Sequence, residues 1–170
     1  TALPFLLNGE KVSIEQPTYS EYDSAFRNAG WQRDETAFDL KVLVHPNNPT
    51  GKIWTEGDLN CGTVIVDESF SDVVSDRTLI SHSNEPGRIF VKSFGKFWGL
   101  PGLRLGFIIG VDPVVSKLRE LLGPWPVGGG TIRIGTAALN DHVWATSARI
   151  RLKSDAKKLD DLMSSHGAVQ

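Results

Sequence analysis

Lys96 lies in the stretch VKSFGKFWGLPGLRLG (91–106), with Ser93 three positions before it and Arg104 eight positions after it. Its primary amine is the side-chain group that condenses with an aldehyde. Asp67 closes the apolar run TVIVD (63–67), and Asn48 stands in HPNNPTG (45–51). A lysine, an acid, an asparagine and an arginine–serine pair together suit a bound aromatic aldehyde phosphate. The lysine would form a Schiff base, and the acid would pair with a protonated ring nitrogen to keep the ring an electron sink. The asparagine would donate to a phenolic ring oxygen, while Arg104 and Ser93 would hold the phosphate. Each residue also has a plainer use: Lys96 as a turn lysine, Asp67 as a strand-end cap, Asn48 as a turn former, Ser93 as a local capping hydroxyl and Arg104 as a surface charge. Glu68 reads as a structural ion-pair partner rather than a catalytic acid.

The elements that must position these groups follow from the apolar pattern. Residues 11–15, 41–45 (KVLVH), 63–67 (TVIVD), 88–92 (RIFVK) and 105–110 (LGFIIG) read as strands; the near-continuous apolar runs predict a sheet covered on both faces. Ser20 is placed to cap a helix running to about Asn28, closed by Gly30. Asp112-Pro113 starts another helix, whose expected apolar face is Val114, Val115, Leu118, Leu121 and Leu122. Residues 128–130 (GGG) read as a flexible connector, and about 131–165 as helix with Leu152, Ala156, Leu159 and Met163 on one face. Alternating buried strands and helices indicate an α/β fold with a mostly parallel sheet and flanking helices. In such sheets ligands bind beyond the carboxyl ends of the strands, where Asn48, Asp67 and Ser93 to Lys96 all fall.

Three segments, NNPTG (47–51), VDESF (66–70) and SFGKFWGLPGLRLGF (93–107), resemble in order and character the large domain of the fold-type-I pyridoxal-phosphate enzymes, the class I/II aminotransferase superfamily. The resemblance implies Lys96 as the Schiff-base lysine and Asp67 as the pyridinium partner. It implies Asn48 as the phenolic-oxygen ligand, Ser93 and Arg104 as phosphate ligands, and Tyr19, in PTY (17–19), as the residue stacked on the ring; a tyrosine there also serves as half-buried packing. Within the superfamily the chain is similar to the threonine-phosphate decarboxylase-like branch of cobalamin biosynthesis, through the lysine segment, GPWPV (123–127) and Phe70. Many aminotransferases carry tyrosine at that position, and phenylalanine has no hydroxyl to share.

The expectation is therefore a pyridoxal-5'-phosphate-dependent lyase acting on a small phosphorylated amino acid, L-threonine O-3-phosphate, as a homodimer. The alternatives are an aminotransferase of the histidinol-phosphate type and a catalytically incompetent fragment of such an enzyme. The resemblance divides the chain into a pyridoxal-phosphate-binding large domain over 1–150, incomplete at its N-terminus and shortened internally, and a helix over 151–170 leading toward a small domain. The substrate-carboxylate ligand is expected beyond residue 170.

Composition restricts the remaining classes. With 18 Lys and Arg against 20 Asp and Glu, no basic cluster marks a nucleic-acid or membrane partner. The single cysteine, Cys61, cannot form an internal disulfide, which points to a reducing cytoplasm. The opening TALPFLLNGE lacks the basic and apolar regions of a signal peptide. The four histidines share no metal-ligand spacing, and Trp54, Trp98, Trp125 and Trp144 read as core or interface packing.

Overall fold

The computed structural model describes residues 2–167. Six strands form one sheet: β1 (Lys11–Ile14), β2 (Gln32–Arg33), β3 (Leu40–Val44), β4 (Thr63–Asp67), β5 (Arg88–Ser93) and β6 (Gly106–Ile109). Their spatial order is β2-β1-β3-β4-β5-β6; all neighbours are parallel except β5 and β6. Five α-helices accompany the sheet: α1 (Leu3–Leu6), α2 (Glu21–Asn28), α3 (Pro113–Leu122), α4 (Gly129–Asn140) and α5 (His142–Ser165). The expected α/β architecture with a mostly parallel sheet is the one observed.

The strands are held by burial on both faces. Val12, Ile14, Leu40, Val42, Ile65 and Ile89 pack with Phe26 of α2, Trp31 and Val114 of α3. Leu43, Val64, Val66 and Phe90 pack on the other side with Trp54, Leu59 and Leu79. Burying one such side chain stabilises by about 1.5–3 kcal/mol, so each strand is fixed in register by its own alternation. On that second face the cover is mostly 3-10 turn, including Glu56–Leu59, whose start is locked by reciprocal Thr55 and Asp58 bonds.

Period-two geometry then decides where the polar strand ends point. Asp67 lies on the α2 face with Ile65, and Ser93 on the same face with Ile89 and Val91. Lys92 points the opposite way. Its ammonium meets Asp72 at 3.0 Å, the Ser71 hydroxyl at 2.9 Å and Glu68 at 3.5 Å. Glu68 is fully buried, and its carboxylate also accepts from Thr78 Oγ1 and the Leu79 amide, both at 2.6 Å. Glu68 is thus the structural ion-pair partner expected, satisfied on both oxygens as a buried charge must be.

Several local expectations are corrected. Ser20 makes no side-chain cap bond, whereas Asp112 does cap α3 through the Val114 amide at 2.9 Å. Of the α3 face only Val114 is buried; Leu121 and Leu122 are exposed. The glycines 128–130 are not a connector: Gly128 is the N-cap and Gly129 and Gly130 the first turn of α4. The long C-terminal helix is two, separated at Asp141, whose carboxylate caps α5 through the Trp144 amide at 2.8 Å. Leu152, Ala156, Leu159 and Met163 are exposed, because α5 packs through Ala145 and Ala148. Trp125 is also exposed, and the last strand is confined to Gly106–Ile109. Helix α5 runs without interruption through residues 150 and 151. Among the described residues no helix is long and apolar enough to cross a membrane.

Candidate active site

Parallel pairing brings four strand ends to one edge. Val44 pairs with Asp67, Asp67 with Val91, and Ser93 with Gly106 of the antiparallel β6, so Arg104 enters from the same side. Tyr19 lies just before α2, Asn48 follows β3, and Lys96 follows β5 in the turn leading to the 3-10 segment Pro101–Leu103. That turn is tight. The Gly99 amide donates to the Lys96 carbonyl at 3.0 Å, with Gly99 at φ +66°. A Cβ on Gly95 would stand 3.1 Å from Pro101 Cα, so the backbones meet where only glycine fits comfortably.

Asp67 is the centre of the edge. Its side chain is nearly buried, and both oxygens accept hydrogen bonds from neutral groups. Oδ1 takes the Ser69 amide at 2.8 Å, and Oδ2 takes the Tyr22 hydroxyl at 2.7 Å. No ion pair to Asp67 occurs among the described residues; the nearby cation Lys92 is engaged by Glu68 and Asp72. A nearly buried carboxylate without a cation fits a positively charged ring nitrogen as its missing partner.

No sequence motif marks Tyr22, although its position allows it: it lies on α2 four residues before Phe26, on the face that meets the sheet. Burial, followed by the Asp67 charge and hydrogen bond, holds its hydroxyl well above the ordinary tyrosine range, so it remains a donor at neutral pH. Tyr19, exposed, meets Tyr22 edge-on with ring centroids 6.3 Å apart.

The two asparagines of HPNNPTG divide their tasks. Asn48 is exposed, its side chain free of protein hydrogen bonds among the described residues and open to a ligand. Asn47 is buried and structural. It donates to the Pro17 carbonyl at 2.9 Å and Thr50 Oγ1 at 2.7 Å, and accepts from Thr18 Oγ1 at 2.5 Å. Those bonds tie the turn bearing Tyr19 to the turn bearing Asn48. His45 is likewise structural: Nδ1 accepts the Trp54 amide at 3.1 Å, leaving Nε2–H to donate to the Arg77 carbonyl at 2.8 Å.

Lys96 is exposed, with Nζ 5.3 Å from the centroid of the Phe70 ring. Phe70 therefore stands beside the lysine, where a tyrosine would have offered a hydroxyl. Ser93 Oγ accepts the Gly95 amide at 3.3 Å, the local capping use, and retains its hydroxyl proton for a second partner. Arg104 is exposed and left-handed at φ 49°, with Nη1 3.4 Å from the Pro101 carbonyl. The six expected residues thus lie on strand ends and loops of one sheet edge, with Asp67 held firmly and Asn48, Lys96 and Arg104 exposed.

The sequence model of the aminotransferase class I and II family matches residues 1–169. The chain is 36% identical, over 98% of its length, to a threonine-phosphate decarboxylase of Pseudomonas aeruginosa, and 28% identical, over 86%, to a histidinol-phosphate aminotransferase of Symbiobacterium thermophilum. These alignments span 56% and 49% of those proteins, so the chain covers about half the length of the curated relatives it matches. Among solved structures, the histidinol-phosphate aminotransferase of Clostridium acetobutylicum superposes on 99% of the chain and 59% of its own, with a TM-score of 0.86 at 19% identity. The L-threonine-O-3-phosphate decarboxylase of Porphyromonas gingivalis superposes on 76% and 49%, with a TM-score of 0.67 at 22% identity. At those identities the superpositions show the fold.

Proposed function

Since this chain belongs to the aminotransferase class I and II family, which depends on pyridoxal phosphate, we propose that it carries the cofactor-binding part of a decarboxylase acting on L-threonine O-3-phosphate. The observation that carries the cofactor assignment is Asp67, a nearly buried carboxylate held by Tyr22 and Ser69 and without an ion-pair partner among the described residues. The choice among the family's reactions follows the 36% identity with a threonine-phosphate decarboxylase. Phe70 agrees with that choice.

When bound, pyridoxal phosphate supplies an electron sink for the bond that breaks at the substrate Cα. Lys96 would provide the amine that holds its aldehyde carbon. Asp67 would receive the ring nitrogen, Asn48 would donate to the ring hydroxyl, Ser93 and Arg104 would hold the phosphate, and Tyr19 would cover the ring. Phe70 offers that ring hydroxyl no donor, which leaves Asn48 to hold it. Released from the aldehyde carbon by the substrate's own amine, Lys96 Nζ would be free to carry to Cα the proton that replaces the carboxylate leaving as carbon dioxide, giving aminopropanol phosphate. We infer as well that it serves cobalamin biosynthesis in the cytoplasm, assembles as a homodimer, and carries a large domain over 1–150 followed by a helix over 151–170.

Supplied with pyridoxal phosphate and threonine phosphate, the protein is expected to release carbon dioxide without forming a keto acid. Turnover that requires 2-oxoglutarate and yields glutamate would replace the decarboxylase reading with the aminotransferase one. Tyr22→Phe removes one hydrogen bond to Asp67 while keeping the ring, so cofactor affinity should fall about fivefold, the equivalent of about 1 kcal/mol. Titration of the visible absorbance checks this; an affinity equal to the parent's would show that Asp67 needs no help from Tyr22.

A further inference from the structure

Helix α5 buries one short face, and that face is given to the turn carrying Lys96. Ala145 and Ala148 pack with Phe97, and Trp98 adjoins the cluster. Trp144 stacks on Trp98 at 5.6 Å with an interplanar angle of 22° and meets Phe97 edge-on at 5.4 Å. Arg149 completes this face. Its guanidinium lies over the Phe97 ring, 5.0 Å from the centroid, and its Nε–H donates to the Asp72 carbonyl at 2.7 Å.

These two contacts fall on both sides of the site. Phe97 is the residue after Lys96; Asp72 is two residues after Phe70. Phe70 and Lys96 face each other at 5.3 Å. Lys96, Phe97, Arg149, Asp72 and Phe70 therefore form a closed circuit in which Arg149 is the only member outside the two loops. The Asp72 side of the circuit is itself fixed, because its carboxylate holds the ammonium of Lys92 at 3.0 Å. On the Lys96 side the amine itself is exposed, and its turn is fastened by aromatic packing and by the Gly99 amide on the Lys96 carbonyl.

We propose that Arg149 is a positioning residue that sets the distance of Lys96 from Phe70, and hence from the ring-binding carboxylate Asp67. The planar guanidinium suits both tasks at once, covering an aromatic face while one N–H donates in its own plane. Lysine at this position keeps a donor but not the flat cover, and methionine keeps neither.

This inference rests on the proposed cofactor reading for its consequence, but not for its first measurement. Lysines are reductively methylated with ¹³C, and the Lys96 resonance is assigned by its loss in Lys96→Ala. In the parent, the Phe70 ring should displace that resonance from the resonance of Lys153, which is exposed on α5. Arg149→Met is expected to move it more than halfway to the Lys153 position and, in unmethylated protein, to weaken pyridoxal-phosphate binding about tenfold; Arg149→Lys is expected to produce a smaller change in both. An unchanged Lys96 resonance in either folded variant overturns the proposal, even if the melting temperature falls. Should Arg149→Met fail to fold, Arg149→Lys gives the decision alone. If the parent binds no pyridoxal phosphate while the resonance moves as expected, the cofactor reading fails and the positioning role stands.

Discussion

Lys96→Ala is expected to abolish the visible absorbance that the parent develops with pyridoxal phosphate, and to lower turnover by on the order of 10²–10⁴-fold. Two losses combine. On the proposed roles, the amine that would hold the aldehyde carbon disappears, and so does the group that would deliver a proton to the substrate Cα. The fold should survive, because Lys96 is exposed and its Nζ makes no hydrogen bond to protein among the described residues. The turn around it depends instead on the Lys96 carbonyl, on Gly95 and Gly99, and on Phe94, Phe97 and Trp98, all of which the substitution leaves in place. An alanine variant that keeps the visible band would remove Lys96 from the mechanism. A parent that never develops the band would instead withdraw the cofactor assignment altogether.

Asp67→Asn should leave the structure standing while lowering turnover by about 10²–10³-fold. The amide oxygen still accepts from Tyr22 or from the Ser69 amide, so the local bonds persist in part. The negative charge does not persist, and nothing else at this edge replaces it, since Glu68 is consumed by Lys92, Ser71, Thr78 and Leu79. On the proposed reading, the ring nitrogen would no longer be held protonated without the anion, and the ring would be a poorer electron sink. Initial rates of carbon dioxide release at saturating cofactor measure the effect. A variant within threefold of the parent would show that the ring nitrogen lies elsewhere.

Much of this site was legible in the chain itself, and the reason is local. KVLVH and TVIVD are apolar runs too short for helices, and each ends on the polar residue that begins a turn. Alternation along TVIVD puts Asp67 on the face of Ile65, and along RIFVKS it puts Ser93 on the face of Ile89 and Val91; the pairing of the two strands makes those faces one. The turn formers of HPNNPTG and the glycines flanking Lys96 mark where the backbone must leave the sheet.

Errors arose where an element's surroundings mattered more than its pattern. Leu121, Leu122 and the stripe from Leu152 to Met163 have helical spacing, yet spacing says only that residues share a face, not that anything covers it. The three glycines suggest flexibility by composition, but residue 128 with an extended backbone and two helical successors make a helix start. Asn47 and Asn48 are adjacent and chemically identical; only the Pro17 carbonyl and Thr18 hydroxyl, brought close by folding, make the first structural and leave the second open.

The sequence by itself determined the strands, the order of the polar groups at their ends and the family they belong to, because those depend on periodicity and short motifs. Tertiary structure decided which groups support them. Tyr22 reaches Asp67 across 45 residues and Arg149 reaches Asp72 across 77. A hydrogen bond between positions so far apart exists only after the sheet has set its register and the helices have settled against it, and no spacing along the chain encodes that meeting.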